Sequence, residues 1–147
     1  MSYGESLVRR YLVAFSPHPF IVNYRPKWLF GLELDFFYPS KNIAIEFQGD
    51  HHYMPTEYSH DLKSVQRRDG IKRRLCKRNG VTLIKLDACD LWWRRLRHKL
   101  KPLHFHKKCP SKIIPMLDAE SSKYRKLLKN NFNSVSALRR NHPKRKL

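Results

Sequence analysis

Leu32–Tyr38 (LELDFFY), Pro39–Asn42 (PSKN) and Ile43–Gln48 (IAIEFQ) are the stretch whose reading decides the fold. Both flanks are short runs of apolar, aromatic and β-branched residues, and the connection between them is turn-rich and of hairpin length, so the segment reads as two antiparallel strands. With Tyr38 paired to Ile43, the register sets Asp35 directly opposite Glu46. Opposed residues of an antiparallel pair have Cβ atoms about 4.5–5.5 Å apart, close enough for two carboxylates to hold one divalent cation. Gln48 falls on the same face, two residues past Glu46. Two such carboxylates inside a sheet repel each other unless a cation or a proton joins them. The plain alternative is a face on which Glu33, Asp35, Glu46 and Gln48 merely meet water. Against it, Leu32, Leu34, Phe36 and Phe37 suggest a strand covered on both sides.

Outward from the hairpin, Leu7, Val8, Tyr11, Leu12 and Phe15 recur at helical spacing until Ser-Pro-His-Pro at 16–19, predicting an amphipathic helix over 3–15. Phe20–Tyr24 is a short β-prone run. Residues from about 61 to 79 form a basic helix closed by Asn79-Gly80, and Val81–Leu86 (VTLIKL) supplies another strand. The order is that of a mixed α/β domain over 1–90, followed by a basic extension over 91–147 that Pro102, Pro110 and Pro115 divide into short helices.

Charge divides the same way. The 147 residues carry 31 Lys+Arg against 12 Asp+Glu, a formal net charge of +19. Residues 1–90 hold 14 basic and 10 acidic side chains, whereas 91–147 hold 17 and 2. So large an excess of base implies a polyanionic partner, and a basic tail supplies sequence-independent, salt-sensitive affinity for phosphates. With 41% hydrophobic residues the chain can build a core, which argues against wholesale disorder. No apolar run is long enough to span a bilayer, Met1–Arg10 has no signal-peptide apolar region, and three irregularly spaced cysteines argue for a reducing compartment. The expectation is an intracellular protein of cytoplasm or nucleus, not secreted.

LELDFFYP, the short turn and IAIEFQGDHHY, with a glutamate on the first helix and a D-x-x-K helix ending in GVTLIKL, resemble the restriction-endonuclease-like PD-(D/E)XK superfamily, most of all its very-short-patch-repair endonuclease branch. The resemblance covers residues 3–86. It implies an αβββαβ core with a central mixed sheet flanked by helices, and Mg²⁺- or Mn²⁺-dependent hydrolysis of DNA phosphodiesters in repair, recombination or mobile-element processing. By position, Asp35 matches the strand aspartate, Glu46 the acid of the (D/E)XK element and Gln48 its lysine position. Glu5 matches the acid of the first helix, and His52 a histidine that follows the strand. Asp35 and Glu46, with the Phe47 carbonyl, would bind the metal.

Gln48 is a departure, because an amide can orient a water but cannot neutralise developing charge. Two residues could make up the loss. His52 could serve as base for the attacking water. Lys72 lies with Val65, Asp69 and Cys76 on one helical stripe, either in the active site or in an i, i+3 salt bridge with Asp69. Glu5 likewise either supports the metal or completes a capping box with Ser2. Arg67, Arg68, Arg73 and Arg74 on the basic helix and Arg94, Arg95 and Arg97 after Trp92-Trp93 are the expected phosphate contacts. The tryptophans themselves either stack bases or pack the extension onto the domain. His104, His106 and Cys109, with Cys89, could form a zinc set, though their spacing matches no standard finger closely. Asn141–Leu147 (NHPKRKL) reads either as a nuclear signal or as a phosphate-binding tail.

The expected partner is therefore nucleic acid, DNA first, with no membrane and no small-molecule cofactor, and a homodimer is compatible with it. The competing readings are a catalytically inactive nucleic-acid-binding protein on a degenerate nuclease fold and, on Asp50-His51-His52, an HNH-like nuclease.

Overall fold

A computed structural model describes residues 1–49, 59–105 and 112–140. The order of elements is α1 (Tyr3–Phe15), β1 (Ile21–Tyr24), β2 (Leu34–Tyr38), β3 (Ile43–Phe47), α2 (Ser59–Arg78), β4 (Thr82–Leu86), α3 (Trp93–Lys99) and α4 (Ile113–Arg140), with short 3₁₀ turns between some of them. The four strands form one mixed sheet in the order β1-β2-β3-β4, antiparallel except for the parallel β3–β4 pair. The chain is thus of mixed α/β class.

The hairpin register is the one the turn dictates. Tyr38 pairs with Ile43, Phe37 with Ala44 and Phe36 with Ile45. Asn42, at φ +49°, takes the left-handed conformation that asparagine tolerates better than most residues and completes the turn.

Alternation along β3 then separates two cores. Ile43, Ile45 and Phe47 join Leu7, Val8, Tyr11, Leu12 and Phe15 of α1 on one side, while Ala44 joins Phe37, Cys76 and Val81 on the side of α2. Helix α1 starts where the Ser2 side chain accepts the Glu5 N–H at 3.2 Å. It lies so close to the sheet that a Cβ on Gly4 would stand 2.1 Å from the Phe47 ring. Helix α2 ends in a Schellman turn. Gly80, at φ +71°, donates to the Lys77 carbonyl, and Val81 donates to that of Cys76 at 2.9 Å, which turns the chain directly into β4.

The region after 90 completes the first core, to which Leu91, Leu96, Leu100, Leu103 and Leu117 contribute. Trp93 packs between Phe15 and Phe105, at centroid distances of 4.2 and 5.7 Å, whereas Trp92 is 37% exposed. The two adjacent tryptophans thus divide between packing and surface. Asp118 ties three helices together by accepting from Tyr11 Oη at 2.6 Å and from the Trp93 N–H at 2.9 Å.

One expectation is corrected here. The prolines do not keep the extension in short helices, because α4 runs for 28 residues. Pro115 is its third residue, inside the first turn, where a backbone N–H has no intrahelical partner to lose. No helix among the described residues is long and apolar enough to cross a membrane.

Candidate active site

The site lies on the α2 side of the sheet, where β2, β3 and α2 meet. Continuing the hairpin register sets Asp35 opposite Glu46. Asp35 Oδ2 accepts the Phe47 N–H at 2.8 Å, and its carboxyl group lies close enough to that of Glu46 for the two to share a hydrogen bond when one of them is protonated. From α2, Lys72 Nζ donates to Glu46 Oε1 at 2.8 Å, and these two side chains are only 16% and 12% exposed. The helical stripe points inward as its spacing requires, since Val65, Asp69 and Lys72 are half-buried and Cys76 is buried. Lys72 reaches across to the strand carboxylate.

These contacts do not bring both acids into ionic balance. Burial, then the charge of Asp35, pushes the Glu46 carboxyl up to about 8, although Lys72 acts in the opposite direction. Asp35 is also held above the ordinary carboxylate value, first by burial and then by the charge of Glu5, against the Phe47 N–H that stabilises its anion. Burial and the nearby Glu46 likewise push the Cys76 thiol up. The pair is therefore set to retain a proton at neutral pH.

Glu5 stands within electrostatic reach of Asp35 while its backbone N–H serves the Ser2 cap. The Gln48 N–H donates to the Leu86 carbonyl at 2.7 Å, keeping the chain beside β4 just beyond Glu46. His52 lies outside the described residues, as do Asp50, His51, His106, Cys109 and Asn141–Leu147. Of the zinc set, Cys89 and His104 are described and both are exposed. Among the described residues no group of three His, Cys, Asp or Glu side chains converges on a metal position.

Arg67, Arg68, Arg73 and Arg74 line the exposed part of α2, and Arg94 and Arg97 are exposed on α3. Arg95 is partly committed, its Nε donating to Asp90 Oδ1 at 2.8 Å. The structure adds one residue that local sequence did not single out. The parallel register pairs Lys85 with Glu46, so both side chains leave the sheet on the same face. No local signal could have found it, since the pairing joins strands separated by a whole helix.

Fold and geometry together define a mixed α/β protein with a half-buried carboxylate pair and a lysine on one face of its sheet. In comparison with known proteins the chain is similar to "Uncharacterized protein 033L" of Invertebrate iridescent virus 3, 36% identical over 95 residues that cover 58% of this chain and 48% of the relative. It is also similar to "Uncharacterized protein 307L" of Invertebrate iridescent virus 6, 33% identical over 131 residues that cover 71% of this chain and 66% of the relative. No family model matches, and no solved structure matches.

Proposed function

We propose that the chain is a metal-dependent endodeoxyribonuclease that hydrolyses DNA phosphodiester bonds on a restriction-endonuclease-like αβββαβ core. One observation carries this reading. Asp35 and Glu46 are held together in a half-buried site with a single lysine hydrogen-bonded to Glu46, so that ionisation of both acids leaves negative charge uncompensated. A protein that only bound phosphates would gain nothing from such a pair beside its basic surface.

The donor set fits Mg²⁺ or Mn²⁺, hard cations that take oxygen ligands. Magnesium is commonly bound through one or two carboxylates together with water and substrate phosphates, so a set of three protein side chains is not required. Asp35, Glu46 and the Phe47 carbonyl would hold the ion. What a bound ion supplies is charge that polarises the scissile phosphate and lowers the pKa of the attacking water. Lys72, fixed by its bond to Glu46, offers its remaining donors to the negative charge that grows on the phosphate oxygens. Gln48 can orient a water through its amide but adds no charge. The arginines of α2 and α3 hold the flanking backbone by phosphate contact.

The test is nicking of supercoiled DNA with Mg²⁺ or Mn²⁺ by the wild type, Asp35→Ala and Glu46→Ala. Each substitution is expected to reduce cutting by at least about 10²–10³-fold, the scale of losing one electrostatic stabiliser, with DNA binding retained. Unchanged cutting by both variants would remove these residues from the chemistry.

A further inference from the structure

Resting on the nuclease reading, we propose that the cleft beside Lys72 receives an unpaired nucleotide of the substrate, whose base stacks on Phe30. The cleft encloses about 340 Å³ between α2 and the turn before β2, and Arg25, Gly31, Glu33, Arg68, Asp69 and Lys72 are among its lining residues. Lys72 belongs both to this cleft and to the carboxylate site, so a strand bound at the acids can extend into it.

Phe30 stands next to Gly31 and is 82% exposed. A single exposed aromatic residue is ordinary on a protein surface, but its backbone here is not. Phe30 has φ +50° and Gly31 has φ +87°, two successive residues in a conformation that a bulky side chain such as phenylalanine rarely adopts. The chain holds it there on both sides. The Phe30 N–H donates to the Lys27 carbonyl and the Leu32 N–H to that of Leu29, both at 3.1 Å. Leu29 is fully buried, and Trp28 and Leu32 pack on the same core as Leu34 and Phe37. The turn thus spends apolar anchors and a strained residue on presenting one aromatic ring to solvent.

The surrounding chemistry favours nucleic acid over an apolar partner. Lys27 and Arg25 are exposed on the same turn, and Arg68 and Lys72 face it from α2. Glu33 and Asp69 bring opposing charge. Glu33 is bonded at 2.7 Å to Arg25, a pair 31% and 67% exposed that a phosphate can displace at little cost. Aromatic stacking flanked by cations is the usual means of holding single-stranded nucleic acid, whereas a paired base keeps its faces inside the helix.

The test uses the full chain with EDTA, so that no cutting occurs, and 2-aminopurine oligonucleotides. One has the probe in a single-stranded flap, and the other has it inside a fully paired duplex. Phe30→Ala is expected to bind the flap roughly 5- to 150-fold more weakly, the scale of one base–aromatic stack. Its affinity for the paired duplex should stay within twofold of wild type. Phe30→Tyr should retain flap affinity and the quenching of 2-aminopurine. Equal flap affinity in Phe30→Ala and wild type, or an equal loss on both oligonucleotides, would overturn the proposal. Binding and cutting separate the two readings. A Phe30-dependent flap preference in a protein that cuts nothing keeps this site and removes the nuclease, and Asp35-dependent cutting without that preference does the reverse.

Discussion

Two acidic centres of this molecule use the same functional groups in opposite ways. Asp90 is 1% exposed, and its carboxylate accepts from Lys99 Nζ and Arg95 Nε at 2.8 Å each and from the Asp87 N–H at 3.0 Å. Burial alone would raise its pKa, but the bonds from Lys99, the Asp87 amide and Arg95 outweigh burial and hold the carboxyl below its ordinary value. Asp35 and Glu46, also largely shielded from water, have one lysine bonded to the pair, and both are shifted upward, first by burial. Burial itself therefore does not distinguish a structural acid from a candidate catalytic one. The distinction lies in whether the protein supplies enough positive charge and N–H donors of its own, and the shortfall at Asp35 and Glu46 is what the proposed metal-dependent function would use.

The largest expected effect is a reversal of consequences between the centres. Asp35→Ala should lose cutting on the scale given above while the fold stays intact. Asp90→Ala should retain the cutting chemistry but lose about 2–3 kcal/mol of stability, because the Asp87 N–H and two cations lose their common acceptor. In a chain of this size that corresponds to a fall in Tm of roughly 5–10 °C by calorimetry. If Asp90→Ala melted with the wild type, the claim that this centre is structural would be broken.

Acidity sharpens the same contrast. A folded carboxyl below its unfolded pKa stabilises the fold above that range, and the contribution is lost as pH falls through the folded value. Asp90 should therefore give an acid limb below its ordinary value of 3.8. Glu46 has the opposite sign. From its ordinary 4.5 up to about 8 the folded protein keeps a proton that the unfolded chain releases, so metal-free stability should fall as pH rises through that window. Glu46→Gln should flatten this alkaline limb and raise Tm at pH 8 by a few degrees, on the order of 1–2 kcal/mol. A metal that replaces the proton should release it to solvent, which titration calorimetry in buffers of different ionisation enthalpy would detect. An alkaline limb unchanged in Glu46→Gln would assign it to another group.

How much of this was legible in sequence follows from the range of the interactions. The hairpin register depends on four turn residues, Pro39–Asn42, and α1 on an apolar stripe closed by Ser16-Pro17, so both could be read locally. The inward stripe of α2 was equally clear, but the partner of Lys72 was not. A salt bridge within the helix to Asp69 was as reasonable as a place in the active site, and it is the docking of α2 on the sheet that brings Lys72 to Glu46. Lys85 needed the parallel β3–β4 pairing, which has no local signature. Phe30 was hidden for a different reason: a left-handed residue is usually signalled by glycine or asparagine, and here phenylalanine precedes the glycine. Pro115 misled because a proline ends a helix only when it falls beyond the first turn.

The smallest expected effect separates the two roles of Lys72. Its charge and its hydrogen bond both lower the Glu46 pKa, so they already offset part of the repulsion from Asp35. Lys72→Met keeps a side chain of similar length on the α2 stripe and removes that offset. The Glu46 titration, followed by carboxyl-carbon NMR in the metal-free protein, should then move upward, and at pH 7 the group should stay protonated more completely than in wild type. Stability should change little near neutral pH, since the proton replaces the lysine as the partner of the pair. Cutting should nevertheless fall, because a proton shared by Asp35 and Glu46 offers no positive donor to the phosphate. If instead the titration stayed in place while cutting fell, Lys72 would act on the phosphate alone, and burial together with Asp35 would be what holds Glu46 in its protonated form.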